Sequence, residues 1–135
     1  MRSIPARLSL LARAALLVAL LGASSLAQAL DIKPFSAQAL ADAQKAGQPV
    51  AVHFHAGWCP TCRKQATALE GLKSDKSLDA VTVLVADYDA ERDLRSTMNV
   101  RTQSTIVVFK GTAERARIAG EADGAKLAVA LRKAL

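Results

Sequence analysis

The sequence predicts an α/β fold in which a mixed central sheet is sandwiched by helices. Three observations lead to this prediction. Apolar runs of strand length alternate with segments whose apolar residues recur at helical spacing. The early strand–helix–strand units imply parallel strands joined by right-handed crossovers. The last two strand-like runs are separated by a short loop that contains a glycine, which is typical of an antiparallel hairpin.

The first predicted helix covers residues 37 to about 46. Ser36 is a residue type that caps helix N-termini, and Gly47 is typical of the position after a helix end. Three residues fall at helical spacing and are expected to face the core: Ala37, Leu40 and Ala41. A strand is then predicted from Pro49 to His55.

The middle of the chain is predicted to hold a helix, a strand and a second helix. The helix follows Cys62 and runs to about Lys73, and residues 75–79 form a polar connection. Residues 81–86 are almost continuously apolar, as expected for a strand whose two faces are both covered. A helix opens at residue 89 or 90 and ends near Met98.

The last part of the chain is predicted to hold a hairpin and a helix. Strands cover residues 104–109 and 115–119, with Gly111 in the loop between them. Gly120 ends the second strand, and Asp123 is placed to cap a final helix that runs to Leu135.

The N-terminal segment has the pattern of a secretory signal peptide. Three arginines precede an apolar run at residues 14–23, and small residues stand at 27 and 29 in an A-x-A arrangement. The run is shorter than the about 20 residues that span a bilayer. We therefore predict a signal peptide over residues 1–29, one domain over residues 30–135 and a periplasmic location. An uncleaved membrane anchor is the alternative.

Composition excludes some classes of function. The predicted signal segment carries three basic and no acidic residues, so its removal lowers the formal charge from +6 to +3. Lysines and arginines are scattered, without the basic stripe and interleaved aromatic residues typical of nucleic-acid binding. We therefore expect no nucleic-acid partner. We also expect the domain to be a monomer.

The motif that indicates a reactive site is Trp58-Cys59-Pro60-Thr61-Cys62, which contains both cysteines of the chain. It lies between a predicted strand and a predicted helix, the layout of a dithiol redox site. A thiolate is the form that attacks a disulfide, and a helix N-terminus stabilises it through free N–H groups and the helix dipole. The second cysteine is spaced to resolve the mixed disulfide.

Together with these residues, the segments 49–54, 83–89 and 100–111 resemble the thioredoxin family over roughly residues 31–135. The Pro-Thr dipeptide is similar to that of the periplasmic thioredoxin-like reductases of cytochrome c maturation. The segment Lys45 to Val50 also resembles the entry into the C-terminal domain of the transmembrane disulfide reductase. The resemblance implies a thioredoxin-like fold, thiol–disulfide oxidoreductase activity and no cofactor.

The resemblance also assigns roles to residues. It implies that Cys59 is the nucleophile, lower in pKa and more exposed, and that Cys62 is the buried resolving thiol. His53 departs from the family pattern, which often places a buried, proton-relaying acid at this position. His53 either relays that proton, with a pKa nearer neutrality than an acid would have, or is a half-buried histidine of the strand whose hydrogen bonds are satisfied. Residues expected to contact the substrate are Trp58, Pro60, Thr61, Gln103, Ser104 and Thr105.

Ser104 departs from the family pattern, which places a cis proline in this loop. A cis bond before a residue other than proline costs roughly 3–4 kcal/mol, so we expect a trans bond here. Serine also brings an N–H and a hydroxyl that proline lacks. The pairing of this loop with substrate, and its exclusion of metals, are therefore open questions.

Two other classes of function remain as alternatives at this point. His53, His55, Cys59 and Cys62 together offer two nitrogens and two sulfurs, a ligand set for zinc or copper, so the chain would be a metal-binding or metal-delivery protein. A redox-inactive binding module is the other alternative. Our preferred prediction is an exported reductase of protein disulfides, supplied with electrons by a membrane-bound thiol reductant.

Overall fold

The computed structural model describes residues 29–135, so the predicted signal segment, apart from Ala29, lies outside the described residues. In chain order the elements of this part are β1 (Asp31–Pro34), α1 (Ala37–Lys45), β2 (Pro49–His55), α2 (Pro60–Gly71), β3 (Thr82–Asp87), α3 (Arg92–Thr97), β4 (Thr105–Lys110), β5 (Ala113–Ala119) and α4 (Gly124–Arg132). Two 3₁₀ turns, Leu72–Ser74 and Lys76–Leu78, connect α2 to β3. None of the helices within residues 29–135 has the length and apolar character needed to cross a membrane.

The sheet is mixed, which confirms the predicted fold class. Its strand order is β1-β3-β2-β4-β5. β1 and β2 run parallel to β3, whereas β4 runs antiparallel to β2 and β5 antiparallel to β4. The central strand β2 is buried along almost its whole length, and it ends where the two cysteines begin.

The direction of β4 corrects one expectation, since the unit formed by β3, α3 and β4 does not give parallel strands. α3 has six residues, a length of about 9 Å. It is too short to run back along a six-residue strand of about 20 Å. The chain therefore starts β4 at the end of the sheet where β3 finishes, and β4 runs antiparallel.

Helices cover both faces of the sheet. Side chains of β2 alternate between the faces, so Val52 and Phe54 point to one face and Ala51 and His53 to the other. On the Ala51 face, the core includes residues of α2 and α4: Leu69, Leu127, Ala128 and Leu131. On the Phe54 face, it includes Leu40 of α1, with Leu94 of α3 packed against it.

The first residues of α1 and α4 and the end of α1 agree with the predicted caps. Ser36 Oγ accepts a hydrogen bond from Ala39 N at 3.0 Å, and Asp123 Oδ1 accepts one from Lys126 N at 3.0 Å. Gly47 follows α1 with φ +67°, a left-handed conformation that glycine adopts without a Cβ penalty. Short-range signals therefore located these three helix termini. α3 instead begins at Arg92, later than the predicted residue 89 or 90, and α4 ends at Arg132, short of Leu135.

The rotation of α1 differs from the expectation. Ala37 and Ala41 are exposed, and Ala39 and Ala43 pack on the core beside Leu40. Leu40 lies on both possible apolar faces of the helix, so the spacing of the alanines did not show which face is buried. Packing against the sheet buries the face that contains Ala39 and Ala43.

Two further features were not predicted. β1 is a four-residue edge strand in which only Ile32 is partly buried, so it has no recognisable apolar pattern. It is held by pairing with β3, including hydrogen bonds from Asp31 N to Val81 O (3.1 Å) and from Phe35 N to Val85 O (2.9 Å). Leu78, in the connection predicted to be polar, is fully buried.

Candidate functional site

The two cysteines lie at the junction of β2 and α2. Cys59 is the N-cap residue of α2, and its Sγ accepts a hydrogen bond from the backbone N of Cys62 at 3.3 Å. Pro60 occupies the first helical position, where a missing N–H has no cost. Both cysteines are free thiols. The dithiol therefore lies at the helix N-terminus, as its spacing predicted.

The environments of the two sulfurs favour opposite protonation states. Cys59 is 3% exposed and Cys62 is fully buried. Hydrogen bonds with Cys62 and with Ser104, aided by backbone N–H groups at the helix start, lower the pKa of Cys59 to about 7. Burial raises the pKa of the Cys62 thiol above its ordinary value. This asymmetry suits a nucleophile at Cys59 and a protonated resolving thiol at Cys62.

Ser104, in the loop before β4, lies against both sulfurs. Its Oγ is 3.2 Å from the Sγ of Cys59 and 3.1 Å from the Sγ of Cys62. No peptide bond of residues 29–135 is cis, which confirms the expected trans bond before Ser104. The φ of Ser104 is +60°, and a residue with a Cβ incurs a cost of about 1–2 kcal/mol in this region.

The backbone of Ser104 is tied into the fold on both sides. Its N–H donates to Phe54 O at 3.0 Å, and its carbonyl accepts from Gly120 N at 3.0 Å. A proline has no N–H to make the first of these bonds. Because both backbone groups of Ser104 are used internally, we expect the pairing of this loop with substrate to rest on the neighbouring Gln103.

A buried glutamine that the sequence analysis did not single out connects this loop to His53. Gln65 Nε2 donates to the carbonyls of Ser104 (2.9 Å) and Glu121 (2.7 Å), and its Oε1 lies 3.0 Å from His53 Nε2. Both amide hydrogens are used on carbonyls, so Oε1 is an acceptor and His53 carries its proton on Nε2. The helical spacing from Cys62 is a signal by which Gln65 was detectable.

His53 is 1% exposed. Burial lowers its pKa to about 4, against the opposing effect of the hydrogen bond to Gln65, so the ring is neutral near pH 7. This corrects our expectation of a pKa nearer neutrality. In the described part of the chain, His53 hydrogen-bonds Gln65 and neither sulfur. Its role as a proton relay stays a prediction, and Gln65 is the side chain that connects His53 to the Ser104 loop.

The predicted zinc or copper ligand set is not assembled. Among residues 29–135, no three side chains of His, Cys, Asp or Glu are grouped so as to hold a metal ion. The ring centroids of His53 and His55 are 5.4 Å apart in an edge-to-face arrangement. Both rings line a cavity of about 340 Å³, together with residues of α2 that include Ala66. The sulfurs instead meet Ser104. The two histidines and the two cysteines therefore belong to separate sites.

Trp58 provides the exposed apolar surface beside the dithiol. Its side chain is 60% exposed, although large apolar groups are usually covered. The indole Nε1 donates to Asp89 Oδ2 at 2.8 Å. Asp89 was not predicted to be part of the site, and its carboxylate fixes the orientation of the ring.

The other predicted substrate contacts differ in accessibility. Pro60 is exposed, and Thr61 and Gln103 are partly buried. Thr105 is 4% exposed, and its Oγ1 donates to the carbonyl of Thr102 at 2.8 Å. A contact between the Thr105 hydroxyl and a substrate would have to displace this internal hydrogen bond.

A Cys-x-x-Cys pair with one acidic thiol at a helix N-terminus and one buried thiol is the site of a thiol–disulfide oxidoreductase. Comparison with known proteins agrees. The thioredoxin family model matches residues 32–133. Thioredoxin C-2 of Corynebacterium nephridii is 34% identical over 88 residues, which cover 65% of this chain and 81% of that protein.

Two further comparisons extend this result. Protein disulfide-isomerase erp38 of Neurospora crassa is 34% identical over 73 residues, which cover 53% of this chain but only 20% of that protein. The crystal structure of Trxlp from Edwardsiella tarda superposes with a TM-score of 0.71 at 29% identity, covering 75% of this chain and 98% of that one. The chain belongs to the thioredoxin family and is a thiol–disulfide oxidoreductase.

Proposed function

We propose that the protein is an exported, monomeric reductase of protein disulfides. The observation that carries the proposal is the asymmetry of the dithiol, with the pKa of Cys59 lowered to about 7 and that of Cys62 raised. Thioredoxin has a nucleophilic cysteine of pKa about 7, whereas strongly oxidising dithiol proteins have values near 3.5. A Cys59 thiolate that is not overstabilised retains the tendency to give its electrons to a substrate.

Electrons in this proposal come from a membrane-bound thiol reductant. An oxidising compartment does not keep a dithiol reduced by itself. The partner therefore has to deliver two electrons for each substrate disulfide. The exposed Trp58 and Pro60 beside the sulfurs supply a surface on which reductant and substrate dock in turn.

The reduction potential of the Cys59/Cys62 pair tests the direction of electron flow. We expect a value below roughly −220 mV, in the range of dedicated reductases. The measurement is equilibration of the purified protein with glutathione or dithiothreitol buffers, with Cys62→Ala as the control that has no intramolecular couple. A value above roughly −180 mV would instead assign an oxidase or isomerase.

Export is supported by the sequence pattern of residues 1–29. Leu30 is 1% exposed and β1 starts at Asp31, so cleavage after Ala29 leaves every described element in the product. We expect periplasmic extracts of a bacterial host to contain a protein that begins at Leu30, measured by intact mass. Ala29→Arg removes the small residue before the cut and should accumulate the unprocessed chain. Wild-type protein that keeps its N-terminus in the membrane fraction would favour the uncleaved anchor.

A further inference from the structure

The hydroxyl of Ser104 is placed to contact both reacting sulfur atoms. It lies 3.2 Å from Cys59 Sγ and 3.1 Å from Cys62 Sγ. One hydroxyl has one hydrogen to donate and lone pairs with which to accept. It therefore donates to one sulfur at a time and accepts from the other if that sulfur carries a proton.

We propose that Ser104 is a catalytic residue whose O–H is donated first to the Cys59 thiolate and then, after the mixed disulfide has formed, to the Cys62 thiolate. The direction of electron flow in this proposal rests on the reductase function proposed above. The role of the hydroxyl rests only on the geometry of Ser104, Cys59 and Cys62.

In the first step, the Cys59 thiolate attacks one sulfur of the substrate disulfide. The Cys59–substrate S–S bond forms, the substrate S–S bond breaks, and the first substrate thiolate leaves. Cys59 Sγ is now a neutral disulfide sulfur and a weak acceptor. The Ser104 O–H is free to turn toward Cys62.

In the second step, the Cys62 thiol gives its proton to the departing thiolate or to water. Its thiolate, which accepts the Ser104 O–H, attacks Cys59 Sγ. The Cys59–Cys62 disulfide forms, the Cys59–substrate S–S bond breaks, and the second substrate thiolate leaves and takes a proton from water. Two electrons have passed from the dithiol to the substrate, which ends as two thiols.

The surrounding structure holds the hydroxyl in position before reaction. Ser104 keeps a left-handed φ of +60°, and its backbone is fixed by hydrogen bonds with Phe54, Gly120 and Gln65. The residue is 3% exposed, so little water competes for the two sulfurs. A hydrogen-bond donor that is held in place and shielded from water stabilises a developing anion without having to change its orientation. Burial of the Cys62 thiol makes its anion costly, so this sulfur has the greater need of a donor.

Two substitutions remove the hydroxyl in different ways. Ser104→Ala keeps the Cβ, whereas Ser104→Gly suits the positive φ and relieves strain. A result shared by both therefore reports on the hydroxyl and not on the backbone. Ser96→Ala, at an exposed serine of α3, is the matched control.

The first measurement is the pKa of Cys59, followed by the ultraviolet absorbance of the thiolate as pH rises. Loss of a hydrogen bond to an anion is expected to raise this pKa by about one unit in both Ser104 variants. The Ser96→Ala protein should titrate as the wild type.

The second measurement is stopped-flow reaction with an aromatic disulfide whose released thiol absorbs visible light. Attack by Cys59 gives the first phase and attack by Cys62 on the mixed disulfide gives the second, which Cys62→Ala should lack. At slightly acidic pH we expect both phases to slow about threefold to fourfold in the Ser104 variants, because the loss of thiolate outweighs the gain in intrinsic nucleophilicity.

An unchanged Cys59 pKa, or an unchanged second phase, in both Ser104 variants would overturn the proposal, since it requires the hydroxyl at both steps. Neither measurement depends on the physiological direction of electron flow. A reduction potential in the oxidase range would contradict the reductase function and leave this result standing.

Discussion

Replacement of Cys59 by alanine is expected to abolish disulfide reduction, a loss of at least about a thousandfold in kcat/KM. The pKa of about 7 leaves roughly half of Cys59 as thiolate at pH 7, against a few per cent for an unperturbed thiol. Cys62 does not replace it, because burial holds that thiol protonated. The measurement is turnover of insulin disulfides with dithiothreitol as the electron source.

Cys62→Ala is the matched comparison, since it removes the other sulfur of the same site. It should still attack through Cys59 and accumulate a covalent mixed disulfide, visible on a non-reducing gel. Turnover that persists in Cys59→Ala would show that the dithiol is not the reactive group. Such a result would favour the alternative of a redox-inactive binding module, in which partner binding survives the substitution.

Stability is expected to fall by about 2 kcal/mol between pH 7 and pH 5 because of His53. Its pKa is about 4 in the folded protein and 6.5 in the unfolded chain. Between these values the unfolded state binds the extra proton, so lowering the pH favours unfolding. The contribution is fully present above about pH 6.5 and is lost as pH falls toward 4. Urea unfolding at several pH values measures it.

The matched substitutions are at the two histidines of β2. His53→Leu should have a lower free energy of unfolding at pH 7, because Gln65 Oε1 loses its donor. It should nevertheless lose the fall between pH 7 and pH 5. His55→Gln should keep that fall, and a fall that persists in His53→Leu would assign the dependence to other groups.

Three carboxylates with a lowered pKa make the fold less stable at still lower pH. Hydrogen bonds with neighbouring side chains lower these pKa values: Asp75 with Ser77, Glu114 with Arg117, and Glu121 with Lys126. A carboxylate with a depressed pKa stabilises the fold above its unfolded pKa and loses that contribution as pH falls through its folded pKa. Measurements between pH 5 and pH 7 therefore separate His53 from these groups, and from Cys59, whose lowered pKa of about 7 adds stability mainly above pH 7.

Local sequence patterns were sufficient for much of the fold. The apolar run at β2, the caps Ser36 and Asp123, and the Cys-x-x-Cys spacing each lie within a few neighbouring residues. Hydrogen bonding and side-chain alternation over such short distances depend mainly on the residues themselves. The short edge strand β1 was missed because its pairing with β3, and not its own pattern, makes it a strand.

The sequence by itself determined that two thiols stand at the start of a helix that follows a buried strand. Only the tertiary structure decided what surrounds them. Ser104 reaches the sulfurs from 42 and 45 residues away along the chain, and Gln65 joins that loop to His53. Such contacts depend on how the loop before β4 packs against β2 and α2. Because packing also sets burial, it determines which of two chemically identical thiols ionises near pH 7.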